Sequence, residues 1–172
     1  LWRQRGACAS VSADDGRTWR QRVCGRRRGA RLLVMDGARG GRVWASFMPG
    51  TTGAVSTSSD GGRSWRRRTP VPGLLVEPVG LAGSLVARAV GGRLGLLRPG
   101  SGRWAAWDEG LPAGSIDALV PWPGARSLVA IVDGRLLRRG LDSPRWTPVP
   151  GAPANVRAAA ASGPRLLVTA AD

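Results

Sequence analysis

The 172-residue chain has no histidine, no lysine and no tyrosine, a single phenylalanine, and two glutamates, Glu77 and Glu109. Each shortage removes a class of chemistry. Without histidine a Ser-His-Asp triad cannot be assembled. Two cysteines alone do not make a structural zinc site, so no metal is expected. Without lysine, the glycine-rich stretch Gly91-Gly92-Arg93-Leu94-Gly95 is no phosphate-binding loop, because that loop needs a Lys followed by Ser or Thr. No cofactor motif is present. No apolar run approaches the roughly 20 residues of a membrane-spanning helix. A secretory signal would have to precede Leu1.

What is abundant is arginine, glycine and proline. All 26 basic residues are Arg, against 11 acidic ones, for a net charge of +15. Arg and Ala in place of Lys and Ile match the coding bias of a G+C-rich genome, yet the charge still attracts anionic partners. The 26 Gly and 13 Pro punctuate short apolar segments, which suits a turn-rich all-β chain. The length predicts one domain, 1–172.

One octapeptide occurs twice: Ser12-Ala13-Asp14-Asp15-Gly16-Arg17-Thr18-Trp19 and Ser58-Ser59-Asp60-Gly61-Gly62-Arg63-Ser64-Trp65. The shared pattern is S-x-D-x-G-x-[ST]-W, with Ser12, Asp14, Gly16, Thr18 and Trp19 answering to Ser58, Asp60, Gly62, Ser64 and Trp65. Short polar side chains such as Ser and Asp hold tight turns by bonding nearby backbone N–H groups. Gly supplies the backbone freedom that such turns require. Thr or Ser and Trp open an outgoing strand, where Trp can fold back over its own hairpin. The octapeptide resembles the Asp-box, or BNR repeat, of sialidase-like β-propellers.

The spacing extends the repeat. Trp19 and Trp65 are 46 residues apart, Trp104 follows 39 later and Trp146 another 42. Periods of about 40–50 residues fit a four-stranded propeller blade. The segments between divide into strand candidates at Ala30–Asp36, Arg42–Met48, Ala54–Thr57 and Ser64–Arg68; at Leu75–Leu81, Ser84–Val90, Arg93–Arg98 and Arg103–Trp107; and at Ser115–Pro121, Ser127–Val132, Arg135–Arg139 and Arg145–Val149. A half-unit follows, Val156–Ala161 and Arg165–Ala170. The almost wholly apolar Leu128–Val132 suits a strand covered on both faces.

The predicted fold is therefore an all-β propeller of four four-stranded blade units. The units lie near 29–69, 74–109 and 114–150, with a fourth split between 1–25 and 155–172 and completed by pairing of the N- and C-terminal strands. Ring closure by one chain, pairing of two chains as a homodimer, and membership of a larger propeller are the three ways to complete such an arc.

Sialidases use an Arg cluster, a Tyr–Glu nucleophile pair and an Asp acid/base, so the absence of Tyr argues against catalysis here. The resemblance extends to non-catalytic members such as photosystem II assembly factors, which dock a partner through a basic patch. The expected role is a binding or assembly scaffold for a protein with an acidic surface. A sialidase-like glycoside hydrolase or glycan-binding protein is the alternative, and nucleic-acid binding through arginine clusters comes third, with no recognised motif behind it. The octapeptides are expected to be structural.

The binding surface is expected on the links from each outer strand to the next inner strand: Gly25–Ala30, Thr69–Leu74, Asp108–Gly114 and Pro150–Asn155. Its basic cluster would be Arg26, Arg27 and Arg28 with Arg31. Arg20, Arg22 and Arg66–Arg68 read instead as charge that keeps outer strands from pairing with other chains, and Arg138-Arg139 is a further arginine cluster. Trp107 ends an outer strand and Trp122 is expected in a turn; both are expected to pack against a neighbouring blade, with stacking on a sugar or peptide as the alternative. Cys8 and Cys24 flank the first octapeptide nearly opposite one another. They are either a cross-strand disulfide or two small buried thiols. A disulfide would suit an extracellular, periplasmic or lumenal compartment.

Overall fold

The computed structural model describes residues 2–5, 8–24, 31–37, 42–48, 53–71, 75–89, 93–122 and 126–171. These form seventeen strands and no helix among the described residues. The first sheet holds β1 (Trp2–Arg5), β2 (Cys8–Val11) and β3 (Arg20–Cys24). The second holds β4 (Arg31–Gly37), β5 (Arg42–Met48), β6 (Gly53–Ser58) and β7 (Arg66–Val71). The third holds β8 (Leu75–Leu81), β9 (Ser84–Ala89), β10 (Leu94–Leu97) and β11 (Trp104–Ala106). The fourth holds β12 (Ile116–Trp122), β13 (Ser127–Val132), β14 (Arg135–Gly140) and β15 (Thr147–Pro148). Last comes a pair, β16 (Val156–Ser162) and β17 (Arg165–Ala170). Within every sheet the strands lie in chain order and run antiparallel.

Period-2 alternation decides how the sheets stack. Successive side chains on a strand point to opposite faces, and in β13 all six residues are buried. Leu128, Ala130 and Val132 pack into one cluster with Leu81, Val86, Leu94, Leu96 and Trp107 of the third sheet. Val129 and Ile131, between them in sequence, pack into another with Val156, Leu166 and Val168 of the last pair. The same division occurs in β9, where Leu85 and Ala87 join Trp44, Val55 and Val71 of the second sheet while Val86 faces the fourth. The cores thus lie between sheets, not within them. The first strand of each full sheet also touches the first strand of the next: β4 meets β8, β8 meets β12 and β12 meets β16. Sheets packed face to face about a line of first strands are the blades of a β-propeller.

The terminal strands differ from the sequence expectation. Among the described residues β17 pairs with β16 alone and β1 with β2 alone. The stretch before the first octapeptide supplies two strands, β1 and β2, where a four-stranded unit shared with β16 and β17 leaves room for one. β1 therefore already occupies the edge of β2 that β17 was expected to take. Consistent with an uncovered sheet, Leu167 on β17 is 63% exposed. Trp122 is a second correction. It ends β12 in register with Ser127, so it belongs to the strand and not to the turn, while its packing toward Leu166 and Val168 is the contact with a neighbouring blade that was expected.

Candidate functional site

The two octapeptides fold alike. Ser12 Oγ accepts the N–H of Asp14 at 3.3 Å and of Gly16 at 2.7 Å, and donates to Asp14 Oδ1 at 2.8 Å. Asp14 in turn accepts the Thr18 N–H at 2.8 Å and the Thr18 hydroxyl at 2.6 Å. In the second copy Ser58 Oγ accepts from Asp60 and Gly62, and Asp60 accepts the N–H groups of Arg63 and Ser64 and the Ser64 hydroxyl. The backbone at Gly16 and Gly62 has φ of 90° and 81°, the left-handed region that favours glycine. Hydrogen bonds to the charged form lower a carboxyl pKa. The Thr18 hydroxyl and N–H, with Ser12, hold Asp14 down at about 2, and the equivalent donors from Ser64, Ser58 and Arg63 hold Asp60 well below the usual range. Both oxygens of each carboxylate accept bonds from their own turn, which is an arrangement for holding backbone.

The tryptophans act between blades. Trp146, 2% exposed, donates its indole N–H to Trp107 O at 2.8 Å and meets the Trp107 ring edge to face at 5.2 Å. Its own N–H bonds Glu109 O at 2.8 Å. Trp104 reaches Pro70 O of the second sheet at 3.1 Å, lying over Gly95, where a side chain would crowd its ring. Trp65 packs against Ala9 and Val23 of the first sheet and Ala45 of its own. Trp19 bonds Gly16 O within its own turn and carries Arg3 over its ring at 4.2 Å. Trp19 and Trp65 are only half-buried. The expectation that both are largely covered by their own hairpins is corrected: Trp65 is a latch onto the preceding blade.

The opposite end of the strands is built differently. β14 starts at the Asp133-Gly134 turn and ends at residues 141–145, where an octapeptide would stand. Asp-Gly is a strong two-residue hairpin signal, and the pair adopts φ of 48° and 72°. Gly134 O accepts the Val156 N–H at 2.8 Å, and a side chain at Gly134 would press on Asn155 Cα at 3.2 Å. Asp133 Oδ1 accepts the Ser115 N–H at 3.3 Å. This turn is thereby fastened to the links that enter both β12 and β16.

Between those links lies a cleft of about 370 Å³, lined by Asp117, Asp133, Gly134, Asn155, Val156 and Arg157. Two bulges aim its charges. Ile116 pairs with Val132 and Ala118 with Ile131, leaving Asp117 as the extra residue. Val156 pairs with Ala170 and Ala158 with Thr169, leaving Arg157 in the same place one blade on. A bulge frees a side chain from the strict alternation of its strand. Asp117 and Arg157 are both exposed. The ion pairs among the described residues involve Asp142 with Arg98 and Arg126, so the charges of the cleft do not neutralise one another at contact distance. Arg88 spans from the third sheet to Ile116 O at 3.1 Å beside Asp117.

The expected site residues divide as follows. Arg26, Arg27 and Arg28, with the rest of the Gly25–Ala30 link, lie outside the described residues. Arg31 opens β4. Thr69, Pro70 and Val71 belong to β7 and not to a link. Asp108–Gly114 and Pro150–Asn155 are links as expected. Arg20, Arg22 and Arg66 lie on outer strands, β3 and β7. Arg138-Arg139 separates: Arg138 is exposed and lies 5.4 Å from the Trp122 ring, whereas Arg139 is buried and donates to Ser143 O at 3.1 Å and Pro144 O at 2.5 Å. Burial pulls the Arg139 pKa down, and Glu109 and Asp108 pull it back up. Cys8 and Cys24 stand opposite one another on β2 and β3 and are joined as a disulfide. The cleft residues Asp117, Asp133, Asn155 and Arg157 were not legible as a group. Their one trace in sequence is a charged residue near the start of otherwise apolar inner strands, second at Asp117 and Arg157 and third, on β8, at Glu77.

No protein-family model and no curated protein matches the chain. Solved structures do. YCF48 bound to D1 peptide is 19% identical, with a TM-score of 0.58 over 90% of this chain and 52% of that one. YCF48 from Cyanidioschyzon merolae is 20% identical, with a TM-score of 0.54 over the same shares. A catalytically inactive virginiamycin B lyase from Staphylococcus aureus with quinupristin is 15% identical, with a TM-score of 0.58 over 95% of this chain and 56% of that one. These are propellers, and the likeness is one of fold. The chain spans about half the length of the structures it matches.

Proposed function

We propose that the chain is a non-catalytic β-propeller module that binds another protein, using the face that carries the outer-to-inner links. The observation that supports this most is the polar cleft at the Asp133-Gly134 end of the strands, fastened by backbone bonds and opposite the end that bears the octapeptides. Function on rigid scaffolds concentrates in such loops. The octapeptide carboxylates are spent on their own turns, and their Asp-box identity is part of this reading. One fold neighbour, YCF48, was solved bound to D1 peptide, which fits a protein partner. Net charge of +15 favours one with an acidic surface. Arg26, Arg27 and Arg28 are consecutive in the sequence between β3 and β4, and Arg grips carboxylates with paired hydrogen bonds. The Cys8–Cys24 bridge suits an oxidising compartment, extracellular, periplasmic or lumenal.

The test is affinity capture with wild type and with Arg26/Arg27/Arg28→Ala. The variant should melt normally and retain partners poorly, with a shallower salt dependence. Equal capture with equal salt dependence would remove this face from consideration. Robust turnover of fluorogenic glycosides by pure protein would replace the reading with a hydrolase.

A further inference from the structure

The cleft between β12 and β16 has a charge pattern unlike the rest of the molecule. Two carboxylates, Asp117 and Asp133, line it together with one guanidinium, Arg157, and Arg88 bonds Ile116 O beside Asp117, so the cleft is of mixed charge on a chain of net +15. The Debye length at physiological salt is about 8 Å. Beyond that distance exposed charges are largely screened, so contacts inside the cleft are set by its own groups and not by the overall charge. We infer that the cleft receives a basic side chain, Arg or Lys, from the docking polypeptide, with an acidic neighbour on the same segment reaching Arg157.

Three features carry this inference, which rests on the protein-binding reading above. The first is charge complementarity in order along the fold. Asp117 and Arg157 are the bulged residues of adjacent inner strands, so opposite charges stand at the same level on neighbouring blades. A lone cation would meet Arg157 as well as the carboxylates, whereas a basic-acidic pair satisfies both walls. The second is preorganisation. Asp133 is held by the Ser115 N–H through one oxygen, and its other oxygen fills the space that a side chain at Gly114 would need. Gly134 and Asn155 are tied to β16 and to Ala171, so the walls are set before a guest arrives. The third is size. At about 370 Å³ the cleft lies near the lower end of ligand pockets of roughly 300–1,000 Å³, room for a side chain or two and not for a folded element. A metal is a poor occupant, because no three His, Cys, Asp or Glu residues cluster among the described residues and Arg157 faces the same space.

The probes are four short peptides blocked at both ends: arginine-glutamate, citrulline-glutamate, arginine-glutamine and citrulline-glutamine. Binding is read from backbone amide shifts at Gly134 and Asn155 at physiological salt. A charge-assisted hydrogen bond contributes about 1.5–3 kcal/mol, so the first peptide should bind about tenfold or more tightly than the second. Asp117→Asn should erase the preference for arginine over citrulline. Arg157→Gln should erase the preference for glutamate, and Arg157→Glu should invert it toward a basic neighbour. Both positions are exposed, so the variants should melt like wild type. Equal binding of all four peptides, or preferences unmoved by Asp117→Asn and Arg157→Gln, would overturn the assignment. Should the preferences follow the variants while Arg26/Arg27/Arg28→Ala captures partners as wild type does, the cleft stands and the wider docking face falls. Should the triple variant lose its partners while the peptides ignore the cleft variants, the face stands and the cleft falls.

Discussion

The turn at Asp60 in the second sheet and the turn after β14 in the fourth occupy the same place in the blade plan, yet they are held by opposite charges. Asp60 gathers backbone N–H groups from Arg63 and Ser64. In the fourth sheet Arg139 gathers backbone carbonyls from Ser143 and Pro144. A turn exposes both donors and acceptors, and either set can be collected by one charged side chain. What both turns keep is the tryptophan that follows, Trp65 or Trp146, packed against the blade before it. The feature these two turns share is thus the latch between blades, and the acidic box is one way to present it.

The largest expected effect removes the latch where it is deepest. Trp146→Ala deletes one of the twelve buried side chains of its core cluster and its bond to Trp107 O, and should cost about 3–5 kcal/mol in chemical denaturation. Trp65→Ala should cost less, because Trp65 is half-buried. Equal costs would mean that burial between blades is not what separates the two turns. Next is the bridge in the first sheet. Cys8 and Cys24 lie 16 residues apart, and opening a loop of that length costs about 3 kcal/mol. Cys8→Ser/Cys24→Ser should show it as a lower midpoint in non-reducing denaturation, absent when wild type is reduced first.

A smaller effect is expected at Arg139. Arg139→Met keeps bulk but leaves the carbonyls of Ser143 and Pro144 without their donor, for about 1–3 kcal/mol. Its loss should be nearly independent of pH. The contrast lies with the acidic turns. Asp14 has a folded pKa of about 2 against an ordinary 3.8, so its stabilising contribution is present above about 3.8 and disappears as pH falls toward 2. Asp60 is lowered in the same direction. Melting of wild type between pH 5 and about 2 should fall more steeply than melting of Asp14→Asn/Asp60→Asn. Parallel curves would show that these carboxylates do not hold their turns through charge.

Much of the fold was legible because its signals are local. The bounds of β5, β8, β13 and β17 follow from Gly and Pro punctuation around apolar runs, and the octapeptides announce their turns residue by residue. What sequence did not carry was pairing between distant segments. Gly6 and Ala7 separate β1 from β2 with little turn chemistry, so two strands read as one and the terminal seam seemed to close. The cleft was hidden for a related reason. A bulge is a mismatch between two strands, and neither Asp117 nor Arg157 reveals it without the partner strand. The role of Arg139 was hidden as well, since a buried Arg beside an exposed one looks like plain surface charge until the turn carbonyls are located.

The central claim assigns the two ends of the strands to different work: turns that hold the blades at one end, recognition at the other. Hydrogen exchange of the protein alone and with a captured partner tests it directly. The account predicts new protection at Asp133–Gly134 and Asn155–Arg157, with Asp14–Trp19 and Asp60–Trp65 unchanged. Protection confined to the two octapeptides would contradict it.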